Sequence, residues 1–122
     1  MRKSLLLLLM AGVGLWANPS DYCPQPSWCR NGDYRGMSVG EITVCSDEIL
    51  SIEDNLMASI YRQFGFLESE RDLRELHRQQ RAWLRERNRI ADRDRMMLFY
   101  LDRIRTLADR LAEDRARLEI RR

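Results

Sequence analysis

From position 46 onward, apolar residues recur every three or four positions. Ile49, Ile52, Leu56, Ile60 and Phe64 form one stripe, with Leu50, Met57 and Tyr61 widening it. This period predicts an amphipathic helix over about 46–64. Ser46 supplies a start, Asp47 and Glu48 sit in the first turn, and Gly65 supplies a stop. A second stripe, begun by Ser69, runs Leu73, Leu76, Gln80, Trp83 and Leu84, with Ile90 near its end. A third runs Met97, Tyr100, Leu101, Ile104, Leu107, Leu111 and Leu118. Asp92 or Asp94 can cap a new helix, but no Gly or Pro separates Arg85 from Met97, so one continuous helix over about 70–120 is the alternative. The pattern predicts an all-α protein, a small helical bundle of about three helices or a helical hairpin.

The first 45 residues read differently. Arg2 and Lys3 precede a short apolar run from Leu5 to Ala17. That run falls short of the roughly 20 residues a spanning helix needs, and it has the form of a secretory signal peptide cut between Ala17 and Asn18. Residues 18–45 hold all three Pro and three of the six Gly, and read as a loop-rich arm in which Ile42-Thr43-Val44 is β-prone. The organisation expected is a leader over 1–17, an arm over 18–45 and a helical domain over 46–122. Localisation is then periplasmic or secreted, with no stable membrane anchor once the leader is gone. Cys23, Cys29 and Cys45 all lie beyond the leader, where disulfides persist. Three cysteines allow one intramolecular bridge and leave one thiol.

Charge narrows the function classes. Without residues 1–17 the chain has 19 Arg and 19 acids, a net charge of zero. Residues 18–70 carry net −6 and residues 71–122 net +6. The Arg-rich stretch from Arg71 to Arg95 is interleaved with acids, which argues against nucleic acid as the partner. No glycine-rich phosphate loop, zinc-protease helix or serine-hydrolase elbow occurs, and the single histidine, His77, has no Cys cluster near it. Adjacent carboxylates such as Glu53 and Asp54 diverge by about 100° on a helix and cannot flank one bond. The sequence therefore points away from an enzyme and implies no cofactor and no metal.

Three segments carry a family resemblance: Pro26-Ser27-Trp28-Cys29; residues 38–50, reading Ser-Val-Gly-Glu-Ile-Thr-Val-Cys-Ser-Asp-Glu-Ile-Leu and continuing to Asp54, Leu56 and Tyr61; and residues 79–88, reading Gln-Gln-Arg-Ala-Trp-Leu-Arg-Glu-Arg-Asn. Over about 26–107 the chain resembles the lysozyme inhibitor LprI family, in its small exported N-terminal-type domain. The resemblance implies a bridge between Cys29 and Cys45. In the chain-entropy model a loop of this size contributes about 3 kcal/mol. It also implies a motif core of Leu50, Leu56, Tyr61, Gln80, Trp83 and Leu84, with Trp83 as the main core aromatic. The chain departs from the family in lacking a second cysteine pair, whose positions fall near Ile90 and near Arg95 or Met96. Cys23 has no clear family counterpart.

The function implied is protein binding: occlusion of a lysozyme-type enzyme, steered by acids of the N-terminal half, with Glu48, Glu53 and Asp54 as candidate steering residues on a solvent face. The second reading is an envelope structural or assembly protein that uses its Arg/Glu-rich helices for partner association or as a homodimer.

Overall fold

The structure, a computed structural model, describes residues 25–120. Ala17, Asn18 and Cys23 lie outside the described residues. Helix α1 spans Val39–Cys45, α2 Glu48–Gln63, α3 Glu70–Arg87 and α4 Arg93–Ile120, with a 3-10 turn over Phe64–Phe66. No strand occurs among the described residues.

Side-chain pairs along the helices fix their directions. Asp47 meets Arg93, Asp54 meets Tyr100 and Gln63 meets Arg115, so α2 and α4 run parallel. Met57 meets Gln80 and Tyr61 meets His77, so α3 returns antiparallel to α2. The result is the expected all-α bundle, up-down-up, with α1 and the arm closing one end. The core joins Val44, Leu50, Met57, Phe64, Leu76, Ile90, Met96, Tyr100, Leu107 and Leu111.

The chain turns after Arg87, so the continuous-helix alternative does not hold. Asn88 ends α3, its N–H donating back to the Leu84 and Glu86 carbonyls. Asp92 opens α4, its carboxylate accepting the Arg95 N–H at 2.8 Å. Two short polar caps thus do the work that Gly or Pro does elsewhere.

Three local expectations are corrected. The β-prone Ile42-Thr43-Val44 lies inside α1, which starts with a reciprocal box: the Glu41 N–H donates to Ser38 Oγ and the Ser38 N–H donates to Glu41 Oε1. Ser46 then ends α1 instead of starting α2. The cap of α2 is Asp47, whose carboxylate accepts the Leu50 N–H at 3.0 Å. Gly65 does not adopt the left-handed conformation of a stop glycine; α2 tightens into the 3-10 turn instead.

The largest correction concerns α2. Its inward residues are Leu50, Ser51, Asp54 and Met57, whereas Ile49, Ile52 and Leu56 are about half exposed. The helix buries a carboxylate and a hydroxyl while turning an apolar stripe outward.

Cys29 and Cys45 are bridged, tying the arm to the end of α1. On its other side α1 docks on the end of α3 through Gly40, whose N–H donates to the Asn88 carbonyl at 3.0 Å. A Cβ at Gly40 would stand 2.0 Å from the Arg87 carbonyl oxygen, so only glycine allows this backbone contact.

Candidate functional site

Asp54 is the centre of a densely connected polar group among the described residues. It is 4% exposed, and the Arg87 beside it is 5% exposed. Trp28 Nε1–H donates to Asp54 Oδ2 at 3.0 Å, and the Tyr100 hydroxyl donates to Oδ1 at 2.7 Å. Arg87 Nη1 reaches Oδ1 at 3.4 Å and the Tyr100 oxygen at 3.2 Å. Arg87 also donates from Nε and Nη2 to Asn88 Oδ1, and its guanidinium stacks 4.8 Å from the Trp28 ring centroid. Burial pushes the Tyr100 hydroxyl far above the ordinary phenol range, which keeps it a donor.

These partners come from four places: Trp28 from the arm, Asp54 from α2, Arg87 from α3 and Tyr100 from α4. Trp28, Asp54 and Arg87 each lie in a different one of the three sequence segments above. A buried carboxylate with three donors and a buried guanidinium with a carboxylate partner are satisfied together, and neither is tolerable alone.

An open groove of about 460 Å³ lies over this group, between the arm, α2 and α3, lined by Trp28, Tyr61, Arg62, Gln80, Leu84 and Arg87 among others. Three of the expected motif residues thus share one groove: Tyr61, Gln80 and Leu84. The others part company. Leu50 is fully buried, and Leu56 is 48% exposed on the far side of α2, so it is not core. Trp83 is half-buried on the α4 side, stacked on Phe99 at 4.9 Å and edge-on to Tyr100 at 5.0 Å. The fully buried aromatics are Tyr100 and Phe64, which displaces Trp83 as the main core aromatic. Gln80 accepts from Arg103 Nε at 3.0 Å and points its amide at Met57 Sδ.

The candidate steering residues also separate. Glu48 is exposed at the start of α2. Glu53 is half-buried, its Oε2 has no partner, and burial, then the Asp47 charge, push its carboxyl upward. Asp54 is not on a solvent face at all. Its position was missed because the apolar stripe of α2 marks the outer face. Arg87 was missed as well, although it falls seven residues after Gln80 and four after Trp83, on the same face of α3.

A second buried acidic pair closes the opposite end of the bundle. Arg110 holds Glu68 with two hydrogen bonds of 2.7 and 2.6 Å, and Arg117 donates to Asp114 Oδ1 at 2.6 Å. Asp114 Oδ2 is buried without a donor. Burial, then the neighbouring Glu68, push the Asp114 carboxyl up to about 6, while Arg110 holds Glu68 below the usual carboxylate range. The Asp114 carboxyl therefore keeps its proton at mildly acidic pH, while Arg110 holds Glu68 ionised.

Among the described residues no group of three His, Cys, Asp or Glu side chains is placed to hold a metal ion. No helix among them is long and apolar enough to cross a membrane. No family model, curated protein or solved structure matches the chain.

Proposed function

We propose that the protein is an exported, periplasmic or secreted, protein-binding module similar to the LprI lysozyme inhibitors, and that it binds and occludes a lysozyme-type enzyme. The observation that supports this reading is the Asp54 group. It makes the three segments that carry the resemblance interdependent, because each contributes one member. The absent second cysteine pair fits the same picture. Ile90 and Met96, at or beside its positions, are 5% and 0% exposed within the core, so apolar packing stands where the family has a bridge. The Cys29–Cys45 disulfide is in keeping with an oxidising compartment.

Because the segments meet at a fold-locking group, recognition is assigned to the surface around it: the groove beside Trp28 and Tyr61, with Glu48 supplying long-range attraction to a cationic enzyme. Asp54 takes no part in steering. The test is inhibition of several lysozyme types by residues 18–122, which contain the whole described fold. Inhibition at micromolar protein that weakens with added salt is expected, with Glu48→Lys slowing association. No inhibition of any lysozyme type at that concentration would remove the reading.

A further inference from the structure

Along the sequence the arginines of α3 alternate with acids, but the helix sorts them. At about 100° per residue, Arg71, Arg74, Arg78, Arg81 and Arg85 fall within an arc of about 80° and form one line about 21 Å long. That line lies opposite Leu76, Gln80 and Arg87, the inward side of α3, so it is the outer crest of the helix. All five arginines are exposed. The acids sit off the crest. Asp72, Glu75 and Glu86 lie on the flank toward Trp83, which stacks on Phe99 of α4, and Glu70 lies on the other flank at the first position of the helix. Arg78 is held by Glu75, but Arg71, Arg74, Arg81 and Arg85 make no hydrogen bond or ion pair among the described residues. Helix α4 differs: five of its seven Arg side chains are hydrogen-bonded, to Asp47, Gln80, Glu68, Gln63 and Asp114. The α4 guanidiniums hold the bundle together, whereas those of the α3 crest are turned to the outside. No exposed large apolar side chain lies on α3, so a partner at the crest is met by charge alone.

We propose that the α3 crest is a docking surface for an anionic phospholipid bilayer, on which α3 lies lengthwise. This binding is separate from the lysozyme reading and uses a different face. Charge selects an anionic partner, and shape selects a flat one. A plane resting on the crest meets the five guanidiniums first, while the flanking acids curve away from it. A concave partner would wrap the flanks instead. In a DNA major groove about 12 Å wide, a helix about 10–12 Å across would press Glu70 on one flank, and Glu75 and Glu86 on the other, toward the phosphate walls. Clusters of basic residues on a helix bind anionic headgroups, each residue near the surface contributing about fivefold in affinity. With no apolar side chain on the crest to enter the hydrocarbon, the contact is peripheral, reversible and sensitive to salt.

The test is co-sedimentation of residues 18–122, which contain the whole described fold, with vesicles of phosphatidylglycerol and phosphatidylcholine in equal parts. Binding at low salt is expected, with none to pure phosphatidylcholine and release at about 0.5 M salt. Arg74→Gln together with Arg81→Gln should weaken binding by about tenfold or more. Helical circular dichroism should be unchanged, since neither side chain bonds within the fold. Arg105→Gln together with Arg115→Gln removes the same charge from exposed positions of α4, turned away from the side on which Phe99 and Arg103 meet α3, and should cost far less. No binding to the anionic vesicles at low salt, or equal binding to both kinds, overturns the proposal, even where the domain then binds duplex DNA or an acidic polypeptide. Equal losses from the two pairs of substitutions overturn it as well, because net charge and not the crest would then govern binding.

Discussion

Asp54 and Asp114 are buried to nearly the same degree, 4% and 6% exposed, and their surroundings are opposite. Asp54 collects a Trp N–H, a Tyr hydroxyl and a guanidinium from three separate elements. Asp114 has one Arg from its own helix, an orphan oxygen, and Glu68 for a neighbour. In the first arrangement three donors offset the hydration that burial removes. The second offers too few donors, and the carboxyl keeps its proton into the mildly acidic range. Burial alone does not decide what a carboxylate contributes; the donors that converge on it do.

Breaking the Asp54 group should have the largest effect. Arg87→Met removes its cationic partner and leaves the carboxylate buried, and a loss of about 3–5 kcal/mol is expected by urea denaturation. Next comes the bridge that holds Trp28 near Asp54. Replacing Cys29 and Cys45 together by Ser should lose about 3 kcal/mol and shift the Trp28 emission toward that of water-exposed indole. Gly40→Ala should follow, at about 2–3 kcal/mol, because the clash is with backbone and the end of α3 must move. An effect below about 0.5 kcal/mol would mean that α1 is not docked as described.

On the other side of the comparison the expected effect is a pH slope. The folded-state Asp114 carboxyl titrates near 6, against an ordinary value of 3.8. Between those values the folded chain holds a proton that the unfolded chain has released. Stability should therefore fall as pH rises from about 4 to about 6, then level off above that. Glu68, held low by Arg110, works in the opposite direction at more acid pH, where its contribution is lost as pH falls. Asp114→Asn should flatten the slope between pH 4 and 6, measured as the difference in unfolding free energy from the parent chain.

The same contrast explains what could be read in the sequence. The helices from 48 to 120 were legible because period is a local property, and each stripe repeats over several turns. Helix α1 was not read, because residues 18–45 read as a loop-rich arm with β-prone Ile42-Thr43-Val44, although Ser38 and Glu41 are spaced as the capping box that starts the helix. The inward face of α2 was not legible. Periodicity locates an apolar face without saying which way it points, and Ile49, Ile52 and Leu56 outweigh Ser51 and Asp54 on any hydrophobic scale. What turns Asp54 inward is Trp28, Arg87 and Tyr100, between 26 and 46 residues away in sequence. No local window contains them. The family segments hinted at the grouping, since they hold Trp28, Asp54 and Arg87, but sequence order does not show that the three touch.

Donors, not burial, set the role of these two carboxylates. The direct measurement is the unfolding free energy at pH 7 of Asp54→Asn and Asp114→Asn, side by side with the parent chain. Both substitutions keep the shape and remove the charge. Asp54→Asn should lose about 3 kcal/mol or more, because a side-chain N–H₂ then meets donors already in place and Arg87 is left unpaired. Asp114→Asn should be neutral or stabilising, because the amide can donate where Asp114 now opposes Glu68. Equal losses at the two sites, or a larger loss at Asp114, would mean that burial and not the converging donors sets what each carboxylate contributes.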